Sequence, residues 1–136
     1  MADLALVTAG KINVIESIEQ ATLPAAEDIS AGQAVRIDTA NGKFTKSNAT
    51  VAAEARVYGV AVRTVKSGEP VTAVKRGLLD GFDLSALSWD APIYLSDTDG
   101  SFGSTAGTVS TVVGAVFPAP GQTIGTALDK VLRIAL

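Results

Sequence analysis

Two stretches of the chain, Ile29 to Phe44 and Leu87 to Phe102, share one pattern of apolar and polar residues and align without a gap. They lie about 58 residues apart, and such a fixed offset indicates an internal repeat. In both, apolar residues recur at every second position, which predicts a half-buried strand. These residues are Val35 with Ile37 and Ile93 with Leu95. Each strand leads into Asn41-Gly42 or Asp99-Gly100, which accept positive φ, so each stretch is predicted to fold back as a hairpin.

Two further strands are predicted after each hairpin, in the same order. Small and polar residues first predict a loop, at 47–56 in one copy and at 101–110 in the other. Alternating strands follow, at Val57–Val65 and Val71–Arg76 in the first copy and at Thr111–Phe117 and Lys130–Leu136 in the second. The turn between them is tight at 66–69 and longer at 118–125. The pattern therefore predicts two related β-meander modules, at 29–77 and 87–136.

The N-terminal residues lie outside both copies of the repeat. Lys11–Glu19 shows neither strict alternation nor a helical stripe, and its β-branched residues favour a strand. Residues 1–24 are predicted to be either an ordinary first strand or an arm that pairs with a neighbouring molecule. Residues 25–136 are predicted to form a single β domain.

The predicted fold class is all-β, a compact small β-barrel or β-sandwich built from the two modules and the N-terminal arm. Asp83 can cap one helical turn that ends at Leu87, and no longer helix is predicted. A chain of 136 residues fits one domain that buries roughly two thirds of its unfolded surface.

The composition removes several classes of chemistry. The chain contains no cysteine and no histidine, so thiolate metal sites, disulfides and the commonest general base are all missing. No apolar run approaches the ~20 residues of a membrane span, and the first residues lack the basic start of a secretion signal. Most of the 11 Lys and Arg residues lie between residues 36 and 76, flanked by acidic ends. This charge pattern can complement itself within one molecule or between copies. We expect a protein that is not an enzyme and needs no cofactor.

Three groups of residues could carry chemistry. Ser96–Ser101 resembles a calcium loop through Asp97 and Asp99, but the closing carboxylate is missing and a hairpin turn is favoured. Asp80 and Asp83 could be offered as a glycosidase pair, although linker aspartates usually bind turn backbone. Trp89 and Tyr94 could line a sugar-binding face, and as two of few aromatic residues they are expected to be core anchors instead. No catalytic or metal residue is predicted.

Glycine turns and alternating strands recur in a fixed order along residues 25–136. They are Ala31-Gly32-x-x-Val35-x-Ile37-Asp38 with Gly42-Lys43, Tyr58-Gly59-Val60-Ala61, Gly68-x-x-Val71-x-x-Val74, Pro92-Ile93-Tyr94-Leu95 with Gly100, Val113-Gly114-Ala115-Val116 and the closing strand. This order resembles the tailed-phage capsid decoration, or head cement, proteins, a family of small β-rich proteins that bind the outside of an icosahedral head.

The resemblance implies a structural virion protein on the outer capsid surface, made in the host cytoplasm. Its implied partners are the major capsid protein and further copies of itself in a homotrimer, without direct binding of nucleic acid or membrane. Terminal arms of similar proteins reach the capsid protein, so capsid or subunit contacts are predicted in the N-terminal segment, at Leu4, Leu6, Lys11, Ile12, Val14 and Ile15. The alternative is a non-catalytic carbohydrate- or protein-binding β module of a phage fibre or surface protein, with Trp89 and Tyr94 as its contacts.

Overall fold

The computed structural model describes residues 3–8, 10–118 and 130–136. The predicted all-β class is confirmed, because the described residues form nine strands and no helix. The strands are β1 (Asn13–Pro24), β2 (Ala34–Ile37), β3 (Phe44–Lys46), β4 (Gly59–Ala61), β5 (Pro70–Asp80), β6 (Pro92–Leu95), β7 (Phe102–Gly103), β8 (Val112–Pro118) and β9 (Lys130–Ala135).

All strand pairs are antiparallel, and together they make one curled sheet that forms a half-barrel. The strand order is β3-β2-β4-β5-β9-β8-β6-β7, and β1 pairs with β5 outside this path. The order is symmetric if β2, β3, β4 and β5 are matched with β6, β7, β8 and β9 in turn. The two halves therefore meet where β5 pairs with β9.

The repeat extends to the registers of the strand pairs. In both halves the first strand pairs in equivalent register with the second and the third, and the third with the fourth. The equivalent pairs are Ile37–Phe44 with Leu95–Phe102, Val35–Gly59 with Ile93–Gly114, and Val60–Val74 with Ala115–Arg133. Apart from an irregularity between Ile93 and Tyr94 in the β6–β8 pair, residues of these strands can therefore be compared with counterparts in the other half.

Both predicted hairpins form, and their turns use left-handed backbone at the expected glycines. Gly42 has φ +72° and Gly100 has φ +75°. A second pair of turns matches as well, because Gly32 has φ +88° and Asp90, its counterpart, has φ +59°. Asp90 is the one residue other than glycine with positive φ in the described chain.

Two clusters of apolar side chains fill the two sides of the first module. The larger cluster also takes in the second module and includes Val60, Leu79, Ile93, Leu132 and Ile134. Its aromatic members Phe82 and Phe102 meet edge to face with ring centroids 5.8 Å apart. The smaller cluster forms around Phe44 and Val71. The alternation of β2 decides this division, because Ala34 faces one cluster and Val35 the other.

Several predicted boundaries differ from the structure. Of the strand predicted at Val57–Val65, only Gly59–Ala61 forms β4. The pairing with β5 does not reach Val65, because Val65 pairs with Ile29 instead. The strand predicted to end at Arg76 continues to Asp80. Residues 76–79 lie between β1 and β9 and pair with both strands. The helical turn predicted after Asp83 is a hydrogen-bonded turn in which Leu87 N–H donates to Leu84 O. The longer turn predicted at 118–125 lies outside the described residues apart from Pro118.

The loop after β3 connects the two ends of the sheet. Gly100 N–H donates to Ser47 O at 2.7 Å, and Ala49 N–H donates to Ser96 O at 2.9 Å. Asn48 Nδ2 adds a bond to the Asp99 carboxylate at 3.1 Å. Because these bonds join the first module to the β6–β7 turn, they hold the sheet in its curled form.

Candidate interaction surface

Strand β1 carries apolar side chains that the domain does not bury. Val14 and Ile15 are each 43% exposed, and Ile18 is 70% exposed. Two of the three irregularities in the pairing with β5, between Val14 and Glu16 and between Ser17 and Glu19, leave Ile15 and Ile18 without a partner residue on β5. Bulges of this kind turn side chains away from the regular face of a sheet. The result is a strip of branched apolar residues in contact with solvent.

A groove of about 420 Å³ lies next to this strip. We call it the β1 groove, and it is lined by Glu16, Ile18, Arg76, Gly77, Leu78, Phe117, Arg133, Ile134 and Ala135. Leu78 and Phe117 belong to a small apolar cluster with Val131, separate from the two larger clusters. The groove therefore has an apolar floor that is continuous with the strip on β1.

Two arginines stand in the β1 groove. Arg76 Nε donates to Leu136 O at 3.1 Å, and the Arg133 guanidinium lies 5.6 Å from the centre of the Phe117 ring. Both side chains are exposed. Glu16 is the single carboxylate among the lining residues, so the groove combines apolar area with excess positive charge. Aromatic and arginine side chains are enriched at protein–protein contacts, and Phe117 and the two arginines meet in this groove.

Gly77 allows β1 to lie against this part of β5. Its φ is +153°, and a Cβ at this position would lie 2.0 Å from Glu16 O. The carbonyl belongs to the paired strand and cannot move away without breaking the pairing. Any larger residue at position 77 would therefore push β1 off the sheet.

The six residues predicted as contacts fall into three groups. Leu4, Leu6 and Ile12 are half-buried and pack against the large cluster of this molecule, and Leu4 N–H donates to Phe102 O at 2.8 Å. Lys11 is exposed but lines a different depression with Asp80 and Asp83. Val14 and Ile15 are exposed on β1 beside the groove.

The sequence did not point to the groove itself. Ile18, Arg76, Phe117 and Arg133 come from four strands that meet only after β5 has paired with β1 and β9, and β9 with β8. The available signal was the run of branched residues in Lys11–Glu19, which fits neither alternation nor a helical stripe. That irregularity corresponds to the bulges of β1.

Trp89 is not the core anchor that was expected. Its side chain is 38% exposed, and Lys130 Nζ lies 5.3 Å from the ring centroid. Trp89 is exposed because it lies in the turn before β6 and not on a strand. In this turn Asp90 N–H donates to Val116 O. Tyr94 lies on β6 and is half-buried.

The acidic residues of the loops accept hydrogen bonds from nearby backbone N–H and hydroxyl groups. Asp97 accepts hydrogen bonds at 2.8 Å from both Thr108 N–H and Thr108 Oγ1, and these bonds hold the pKa of the Asp97 carboxyl below its usual value. Asp83 accepts from Ser85 Oγ and N–H, which lowers its pKa in the same way. Asp80 accepts from Gly81 N–H. In the described parts of the chain, no three carboxylates lie close enough to hold a metal ion.

These features define an all-β protein with an exposed apolar and cationic surface centred on β1. Comparison with protein-family models found no match, and no curated protein matches the chain at a significant level. Among the described residues there is no helix that could span a membrane.

Proposed function

We propose that this protein is a non-enzymatic structural protein of a phage virion that binds the outer surface of the capsid and stabilises the head. The observation that carries the proposal is the exposed apolar strip of β1 beside the β1 groove. The resemblance of residues 25–136 to capsid decoration proteins supplies the identity of the partner, the major capsid protein.

The geometry of β1 supports a binding role. β1 pairs with β5 and with no other strand of the described chain, so backbone groups and apolar side chains remain for a partner. A partner segment that covered Ile15 and Ile18 would remove their exposed apolar area from water. It could also add backbone hydrogen bonds to the strand, as in other cases of β-augmentation.

The proposed assembly is a homotrimer on the outer capsid surface, of protein made in the host cytoplasm. A small domain can offer only a modest interface for each copy. Many copies bound to one shell still stabilise it, because the contacts act together. Association into trimers multiplies the contacts that each assembly makes.

Co-sedimentation with undecorated phage heads tests the proposal. At about 10 μM, where a modest interface is occupied, the wild-type protein is expected to pellet with heads and Ile18→Asp to stay in solution. Val51→Asp is the matched control, because Val51 is 50% exposed and lies in the loop after β3 instead of at the groove. Absence of wild-type binding, or equal loss with both variants, contradicts the proposal. Sedimentation equilibrium of the free protein tests the trimer.

Limited proteolysis tests the part played by the N-terminal segment. If residues 1–22 reach a partner, protease cuts them in the free protein and not in the assembled particle. Equal protection in both states assigns them to an ordinary first strand of the domain.

The exposure of Trp89 favours a second candidate, a non-catalytic carbohydrate- or protein-binding module of a phage fibre or surface protein. An aromatic ring in contact with solvent is able to stack on a sugar. Titration with host-surface oligosaccharides, followed by Trp89 fluorescence, tests it. A saturable change in Trp89 emission supports this second function, and unchanged emission contradicts it.

A further inference from the structure

A second surface of the molecule is lined by several basic side chains. A depression of about 360 Å³ is lined by Arg36, Ile37, Thr39, Arg56, Val57, Tyr58 and Lys75. We call it the cationic depression. It contains three basic residues and no acidic one, in a protein whose net charge is −3. Arg36 lies on β2, Lys75 on β5, and Arg56 and Tyr58 just before β4, which pairs with both strands.

The basic groups of the depression are only partly used by the protein. Arg36 Nη2 lies 3.8 Å from Glu54 Oε1, a long contact, and Arg36 Nε is buried without a hydrogen-bond partner. Lys75 Nζ lies over the Tyr58 ring at 5.3 Å from its centroid. The Arg36 side chain as a whole is still 19% exposed, so its accessible part can take a carboxylate from outside the molecule.

The internal repeat shows that the fold does not need these charges. Matching strand registers make Tyr94 the counterpart of Arg36 and Ile134 the counterpart of Lys75. Thr111 is the counterpart of Arg56 along the chain, because it lies three residues before Gly114 and Arg56 lies three residues before the matching Gly59. At these three positions the second module has uncharged residues in its strand pairs. The three basic residues are therefore specific to the first module and are not required by the strand pairing that the two modules share.

The surroundings of the charges indicate the kind of ligand. Ile37 is 46% exposed, and the rings and methyl groups of Tyr58 and Val57 complete an apolar border. A long polyanion would meet repulsion from the negative remainder of the molecule. A single carboxylate beside an apolar side chain matches both parts of the depression, since arginine pairs with carboxylate through two parallel hydrogen bonds.

We propose that the cationic depression binds an acidic segment of a partner protein, with a carboxylate on Arg36 and Arg56 and a neighbouring apolar side chain on Ile37. This site lies outside the β1 groove and does not depend on the proposed virion function.

Titration of the full chain with a blocked pentapeptide of alternating Glu and Leu, followed by amide NMR shifts, tests the proposal. Shifts are expected at Arg36, Ile37 and Lys75, and binding is expected to weaken when salt is raised from about 20 mM to about 200 mM. The double variant Arg56→Gln/Lys75→Gln is expected to lower the affinity at least about tenfold. The charge-matched control Arg63→Gln/Lys66→Gln changes exposed cations outside the depression and is expected to leave the affinity within about twofold.

Three further probes separate the alternatives. The same peptide with Gln in place of Glu is expected not to bind, and equal binding overturns the carboxylate contact. Inorganic phosphate that binds as tightly as the peptide reduces the site to a general anion site and overturns the proposal. An oligothymidine of about 20 nucleotides that binds more tightly than the peptide, with the same loss in the double variant, assigns the depression to nucleic acid instead. Unchanged melting temperatures of both double variants show that any loss is not due to unfolding.

Discussion

Arg76 on β5 and Ala135 on β9 face each other at the centre of the sheet, and the two halves of the molecule are related about this pair. Lys75 and Leu136 continue the same arrangement, because Leu136 N–H donates to Lys75 O across the junction. The relationship shows why the internal repeat matters. The two halves of the chain can be compared with each other. A feature that is present in one half and missing from the other is not required for the fold.

Asp90 is expected to be less favourable than the glycine at the equivalent turn. Its φ of +59° lies in the left-handed region, where a residue with Cβ is strained and glycine is not. Asp90→Gly should therefore raise the free energy of unfolding by up to about 1 kcal/mol, as measured by urea unfolding. Gly32→Ala at the equivalent place should lower it, since its Cβ would lie 3.1 Å from Leu6 Cδ2 at φ +88°. A destabilised Asp90→Gly would contradict the strain argument.

Gly77→Ala should detach β1 from the sheet. The added Cβ would lie 2.0 Å from Glu16 O, so we expect a loss of about 3 kcal/mol or more in urea unfolding. Amide hydrogen exchange should accelerate along β1 before it does so in β8. Gly68→Ala is the control, because its φ of +88° is also left-handed but nothing lies within 4 Å of its Cβ. That variant should lose only about 1 kcal/mol. Similar losses in both would show that the contact with Glu16 is unimportant.

Glu27 should make stability depend on pH in the acid range. Partial burial opposes its ionisation, but hydrogen bonds from Thr45 Oγ1 and Lys46 N–H, with the charge of Lys46, hold its pKa below the ordinary 4.5. A carboxyl whose pKa is lowered by folding stabilises the protein above its unfolded pKa, and this contribution is lost as pH falls through the folded pKa. Glu27→Gln should thus be less stable than wild type near neutral pH, and the difference should shrink below the ordinary pKa of 4.5. Urea midpoints measured across this range check it, and parallel curves would contradict it.

Trp89 should report its own exposure, because it is the single tryptophan of the chain. Its emission should be red-shifted relative to a buried indole and quenched by acrylamide. Lys130→Ala removes the cation that lies 5.3 Å from the ring centroid and should increase the quenching constant. Lys75→Ala removes the cation over Tyr58 and should leave the quenching unchanged. Blue-shifted, unquenched emission would place Trp89 in the core.

Local sequence was sufficient for the parts of the fold that depend on neighbouring residues. The alternation of Val35 with Ile37 marked β2, and Gly42 and Gly100 marked the two hairpin turns, because the preference for positive φ is a property of the residue itself. The all-β class followed from the same signals. The boundaries of β4 and β5 could not be predicted from these local signals. Val65, for example, pairs with Ile29, a residue far away in the chain, and not with β5.

The candidate surfaces required the tertiary structure. Leu4, Leu6 and Ile12 have the same apolar character as Ile15 and Ile18, and only the packing of the N-terminal segment decides which of them the domain buries. The exposed pair lies at bulges of β1.

The amino-acid sequence by itself determined the doubled strand pattern, its turns and its lack of thiol and imidazole groups. The tertiary structure decided that β5 pairs with β9, and that Arg36, Arg56 and Lys75 meet in one depression while Arg76 and Arg133 stand in another. The physical reason is that turn and strand preferences arise within a few residues. Burial and the meeting of charges depend instead on which distant strands share a register.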